Sequence, residues 1–143
     1  MTIRPRAARN MRELRSRLRD VAAASHASTV AARDRQRDAL VEEEERLQEY
    51  LDTAPHVLAE VTSIYELELV HEDTGVHRLA VSEASSQLAE ATRQTAISEA
   101  ALRERARQLR SAERVVEKIE HAISRRESAA EQRAHDDISA RRR

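Results

Sequence analysis

The sequence predicts an all-α chain folded as a long antiparallel two-helix coiled-coil hairpin, and three observations predict it. The first is a shortage of breakers: 143 residues contain one glycine, Gly75, and two prolines, Pro5 and Pro55. A sheet needs far more turn residues than that. The second is composition. With 36% charged residues, two tyrosines and neither phenylalanine nor tryptophan, the chain cannot build a thick core, but its alanine, leucine and valine can fill a narrow helical stripe. The third is a heptad spacing of apolar and small residues in both halves.

The second half carries the stricter pattern. From Val81, through Ala84, Leu88, Ala91, Thr95, Ser98, Leu102, Arg105, Leu109, Ala112, Val116 and Ile119 to Ile123, spacings of three and four alternate without a slip. A period of 3.5 residues implies left-handed supercoiling. The first half follows the pattern through Met11, Leu14, Leu18, Val21, Ser25, Ser28 and Ala32, and again through Leu47, Leu51, Ala54, Leu58, Val61 and Tyr65. Gln36 and Leu40 bridge the two phases, as a stutter does.

Two seams on one chain predict a hairpin, and Glu72-Asp73-Thr74-Gly75 is the strongest turn signal near the middle, since glycine readily ends a helix at positive φ. Arms of about 6–72 and 76–140 then make one elongated unit, with partner numbers adding to 149, so that Leu47 meets Leu102 and Leu51 meets Ser98. A turn at Pro55 would leave Leu102 to Ile123 without a partner. Pro55 is therefore expected to kink or break the first arm, because it removes a hydrogen bond and crowds the preceding turn. The same seam also suits a homodimer, though a monomeric hairpin is the expectation.

Charge is segregated along the chain. Residues 1–40 carry +6, residues 41–102 carry −11 and residues 103–143 carry +4, within a total of −1. Such segregation suits a molecule held between partners of different potential. Ile64, Leu67, Leu69 and Val70 place more apolar surface near the turn than the seam can bury, which makes them candidates for a partner contact.

No catalytic arrangement emerges. One glycine cannot form a phosphate-binding loop, and His71 and His77 lack the four-residue spacing of a helical zinc pair. Glu42 to Glu45 have no pocket to shift their pKa values. The chain is expected to be no enzyme and to need no cofactor or metal. Without cysteine it suits a reducing compartment, and no apolar run reaches the roughly 20 residues of a membrane span. The Arg-rich start is similar in composition to a mitochondrial presequence, but its Met11, Leu14, Leu18 and Val21 spacing runs on into the helix.

The stretch Arg107-Gln108-Leu109-Arg110, then Glu113-Arg114, Glu117-Lys118, Arg126-Glu127, Glu131-Gln132-Arg133 and Asp136-Asp137, resembles the C-terminal arm of type III secretion stalk proteins, the flagellar FliJ-like and injectisome YscO-like group. In that group the second helix ends in a Glu-Gln-basic segment followed by an Asp-Glu pair; here the second acid is Asp137. The resemblance covers about a quarter of the chain. It implies a hairpin similar to the coiled coil of the rotary ATPase gamma subunit, inserted by its terminal end into a hexameric export ATPase and contacting the export gate or secretion chaperones. The location implied is cytoplasmic, peripheral to the secretion apparatus at the inner membrane. Carried onto this chain, Arg107, Gln108, Arg110, Arg114, Gln132 and Asp136 are the candidate ATPase contacts. Ile64, Leu67, Leu69 and Val70 become the candidate gate or chaperone contacts.

Two other functions fit the same residues. One is a generic coiled-coil scaffold or tether. The other is nucleic-acid binding by the Arg-rich terminal segments, against which stand the acids interspersed in the second arm and the lack of stacking aromatics.

Overall fold

The computed structural model describes residues 5–141, with side chains described from 5 to 137. Two long helices account for nearly all of it: α1, Pro5–Glu60, and α2, Ile64–Arg141. They pack against each other, and among the described residues there is no strand. Contacts divide the chain into two compact units, one formed by Met1–Ala23 with Ala101–Arg143 and the other by Ala24–Ala100.

The chain turns at residues 61–63, not at Gly75. Ser63-Ile64-Tyr65-Glu66 is a capping box: the Ser63 hydroxyl accepts the Glu66 N–H at 3.2 Å, and Glu66 Oε2 accepts the main-chain N–H of Ser63 at 3.1 Å and of Thr62 at 2.8 Å. The Thr62 hydroxyl donates to the same oxygen at 3.1 Å. This occupies donors at the start of α2 that would otherwise lack partners. Gly75 lies eleven residues further on, inside α2, without positive φ. Pro55 does not break the first arm, since α1 continues through it to Glu60. Pro5 opens α1, where its missing N–H costs nothing.

Within each unit α1 and α2 run antiparallel. In the first, Arg9 pairs with Glu120 at 3.1 Å and Arg15 donates to the Gln108 carbonyl at 2.8 Å. In the second, His26 meets Ser98 at 3.0 Å, Thr95 donates to the Thr29 carbonyl at 3.2 Å, and Tyr50 donates to the Val70 carbonyl at 3.0 Å. Partner numbers for His26 with Ser98 and for Thr29 with Thr95 add to 124, not 149. Ser98 therefore faces His26 and Thr29 rather than Leu51. The earlier turn produces this shift.

The α2 seam lies where its spacing puts it. Ala84, Thr95, Leu109, Ala112 and Val116 are buried, the other expected positions are half-buried, and Arg105 alone is exposed. The first-half seam does so only in part: Ala32, Gln36, Leu40, Leu47, Ala54 and Val61 are half-buried, but Ser25, Ser28, Leu51, Leu58 and Tyr65 are exposed. Met11, Leu14, Leu18 and Val21 are exposed, and half-buried positions instead follow a single phase through Ala22, His26, Thr29, Arg33, Gln36 and Leu40, running on to Leu47, Tyr50 and Ala54. No stutter is present in this phase. Arg15, Arg19 and Arg33 are half-buried on this side of α1, and Arg15 reaches across to the Gln108 carbonyl.

Candidate functional site

α2 between Arg103 and Asp136 has three chemically distinct faces. At 100° per residue, Leu109, Ala112, Val116, Ile119 and Ile123 share the face buried against α1. Glu113, Glu117, Glu120, Glu127 and Glu131 share a second. The third carries Arg103, Arg107, Arg110, Arg114, Lys118, His121 and Arg125, followed by Gln132 and Asp136, and every one of them is exposed. These nine residues fall in a sector of about 80°. No acid enters it before Asp136.

The fold thus gathers five of the six candidate ATPase contacts, Arg107, Arg110, Arg114, Gln132 and Asp136, along one ridge. Gln108 is not part of it. Its side chain is half-buried, its carbonyl accepts from Arg15, its amide donates to Glu104 at 3.0 Å and its Oε1 accepts from Arg105 at 3.1 Å. Arg107 is steadied by Glu104 one turn back, at 2.8 Å, in an exposed pair of small energetic weight. Sequence reasoning missed Arg103, Lys118, His121 and Arg125. Their three-and-four spacing from Arg107, Arg110 and Arg114 was the signal that would have found them. Lys118, His121 and Arg125, with Ser124, line one shallow depression.

Residues 124–137 are exposed at every position. Within the unit formed by Met1–Ala23 with Ala101–Arg143, Arg9 pairs with Glu120 and Arg15 reaches the Gln108 carbonyl, so the start of α1 falls near the level of residues 118–124 of α2. The segment Glu131-Gln132-Arg133 to Asp136-Asp137 is thereby presented on all its faces.

The second candidate group is brought together only in part. Ile64 and Leu67 share one side of α2, and Leu67 lines a depression with Glu68, His71 and Glu72. Leu69 lies on another side, beside Val57 and Val61. Val70 faces α1, half-buried, and its carbonyl accepts from both Tyr50 and Thr74. Two carboxylates depart from the usual range. Asp34 is held below it chiefly by a hydrogen bond from Arg33, and Glu66 chiefly by the Thr62 N–H. Neither lies on the ridge.

Among the described residues no three His, Cys, Asp or Glu side chains gather as metal ligands, and no helix is long and apolar enough to cross a membrane. No protein-family model, curated protein or solved structure matches this chain.

Proposed function

We propose that the chain is a non-enzymatic stalk of a type III secretion or flagellar export ATPase, working in the cytoplasm at the base of the secretion apparatus. On this reading the two helices form a left-handed coiled-coil hairpin, and the C-terminal part of α2 engages the hexameric ATPase. The loop end, through Ile64 and Leu67, meets the export gate or a secretion chaperone. The observation that carries the reading is the ridge itself. Arg107, Arg110, Arg114, Gln132 and Asp136, singled out by resemblance, fall on one exposed face of one helix. A binding face on a rigid helix needs such alignment. The chain contributes arginine donors suited to carboxylates and leaves nucleotide chemistry to its partner.

Co-expression with a type III export ATPase tests this. The full chain is expected to co-purify with the ATPase and raise its ATP turnover, and Arg107→Glu/Arg110→Glu/Arg114→Glu is expected to lose both while retaining its helicity. Neither co-purification nor stimulation by the unaltered chain would overturn the proposal.

A second reading, binding of nucleic-acid phosphates, gains from the same ridge. Between Arg103 and Arg125 the acids of α2 lie on a different face from Arg103, Arg110, Arg114, Lys118 and Arg125, so over that stretch they do not interrupt a row of phosphate contacts. A salt-sensitive shift of duplex DNA, lost in the same triple variant, would favour it over the stalk.

A further inference from the structure

Met11, Leu14, Leu18 and Val21 form a stripe at three-and-four spacing on a side of α1 that is left exposed, at 43%, 58%, 37% and 68%. An apolar stripe at this spacing is what one helix offers to another. By helical angle Arg17 borders it on one side, in an exposed pair with Glu13 at 2.6 Å, and Arg15 on the other, at the edge next to α2 where it donates to the Gln108 carbonyl. The unit that holds the stripe is basic: Met1–Ala23 with Ala101–Arg143 contains nineteen arginines and lysines against ten acids, a balance of +9.

The other unit is its electrostatic counterpart. Ala24–Ala100 contains six arginines against sixteen acids, a balance of −10. One face of its α2 segment carries Glu72, Val76, Leu79 and Glu83 at spacings of four, three and four. Val76 and Leu79 are 65% and 68% exposed. This face is an apolar pair bracketed by acids, where the first is an apolar stripe bracketed by arginines.

We infer that the Met11/Leu14/Leu18/Val21 stripe of one copy docks on the Glu72/Val76/Leu79/Glu83 face of a second copy, so that the chain self-associates basic unit to acidic unit. Charge selects both occupant and orientation. The chain itself carries balances of +9 and −10 in separate units, and a like-to-like pairing of units would oppose charges of one sign. A two-fold axis repeats the same contact twice and uses both faces of both copies. A monomeric hairpin with its turn at Gly75 puts this stripe inside the seam; the structure leaves it exposed. The inference does not depend on the stalk reading, because neither face includes a ridge residue.

Sedimentation equilibrium of the full chain tests it. Twice the 16.3 kDa mass of one chain is expected at about 50 mM salt, with affinity at least about tenfold weaker at about 500 mM, where ionic screening is strong. Leu14→Glu/Leu18→Glu and Leu79→Glu are each expected to be monomeric with unchanged far-ultraviolet circular dichroism, since these side chains are exposed. The chain has no cysteine, so orientation can be read directly. Mixed Leu14→Cys and Leu79→Cys chains are expected to form the crossed disulfide under oxidation in preference to either homodisulfide. A single-chain mass at both salt concentrations would overturn the inference, and so would preferential linkage of Leu14→Cys to itself.

Discussion

Tyr50 on α1 donates its hydroxyl to the main-chain carbonyl of Val70 on α2 at 3.0 Å, and its ring lies 4.8 Å from that of His77. Residues only twenty and twenty-seven apart are thereby joined across the helix pair, which is incompatible with a turn at Gly75. Tyr50→Phe removes the hydrogen bond and keeps the ring, so urea denaturation is expected to show a loss of about 0.5–1.5 kcal/mol. Spin labels at 50 and 77 are expected to report a short distance, and labels at 50 and 99, partners in the later-turn register, a long one.

Gly75→Ala separates the two turns by sign. No atom lies within 4 Å of a Cβ placed there, and the backbone is helical. Alanine is therefore expected to stabilise the chain by about 0.5–1 kcal/mol, as in any open helix interior. A drop in thermal midpoint would return the turn to Gly75.

The capping box gives the turn a pH dependence. The folded-state pKa of Glu66 is depressed, mainly by the N–H of Thr62, so its contribution is present above the unfolded carboxylate range. It is lost as pH falls through the lowered folded value. Thermal melts from neutral to acid pH are expected to show this loss in the unaltered chain and to lack that component in Glu66→Gln. Ser63→Ala is expected to cost about 1 kcal/mol at neutral pH.

Burial makes two leucines unequal. Leu109 is 8% exposed and Leu14 58%. Leu109→Ala is expected to cost about 2–3 kcal/mol in denaturant unfolding, and Leu14→Ala to stay within about 0.5 kcal/mol under conditions that keep the chain monomeric. Equal costs would restore Leu14 to the helix interface.

The legibility of the fold followed the chemistry of each arm. On α2 the buried positions are occupied by residues that look buried, such as Ala84, Leu109 and Val116, so spacing and burial coincide. On α1 the half-buried positions include Arg15, Arg19, His26, Arg33 and Gln36, whose polar ends conceal the hydrocarbon they carry. The most apolar stripe, Met11 to Val21, reads as the seam because it shares the same period a quarter-turn away. The turn was obscured differently. Gly75 is conspicuous as a single residue, whereas the stop between Glu60 and Ile64 is written in the combination of Thr62, Ser63 and Glu66. On the ridge, Arg107, Arg110 and Arg114 were found by resemblance. Lys118 and Arg125 needed the helical angle, which no local motif expresses.

Thr29, Thr95, Ser98 and His26 have a consequence of their own. The hydrocarbon of α2 recurs every seven residues, so it holds α1 almost equally well after a slide of one heptad. The hydroxyls do not recur. Thr29 and Ser98 lie 2.7 Å apart, His26 reaches Ser98 at 3.0 Å, and Thr95 is buried beside them. They act as an index pin partway along a ratchet whose teeth are otherwise identical, holding there the notch that the short turn at 61–63 selects at one end.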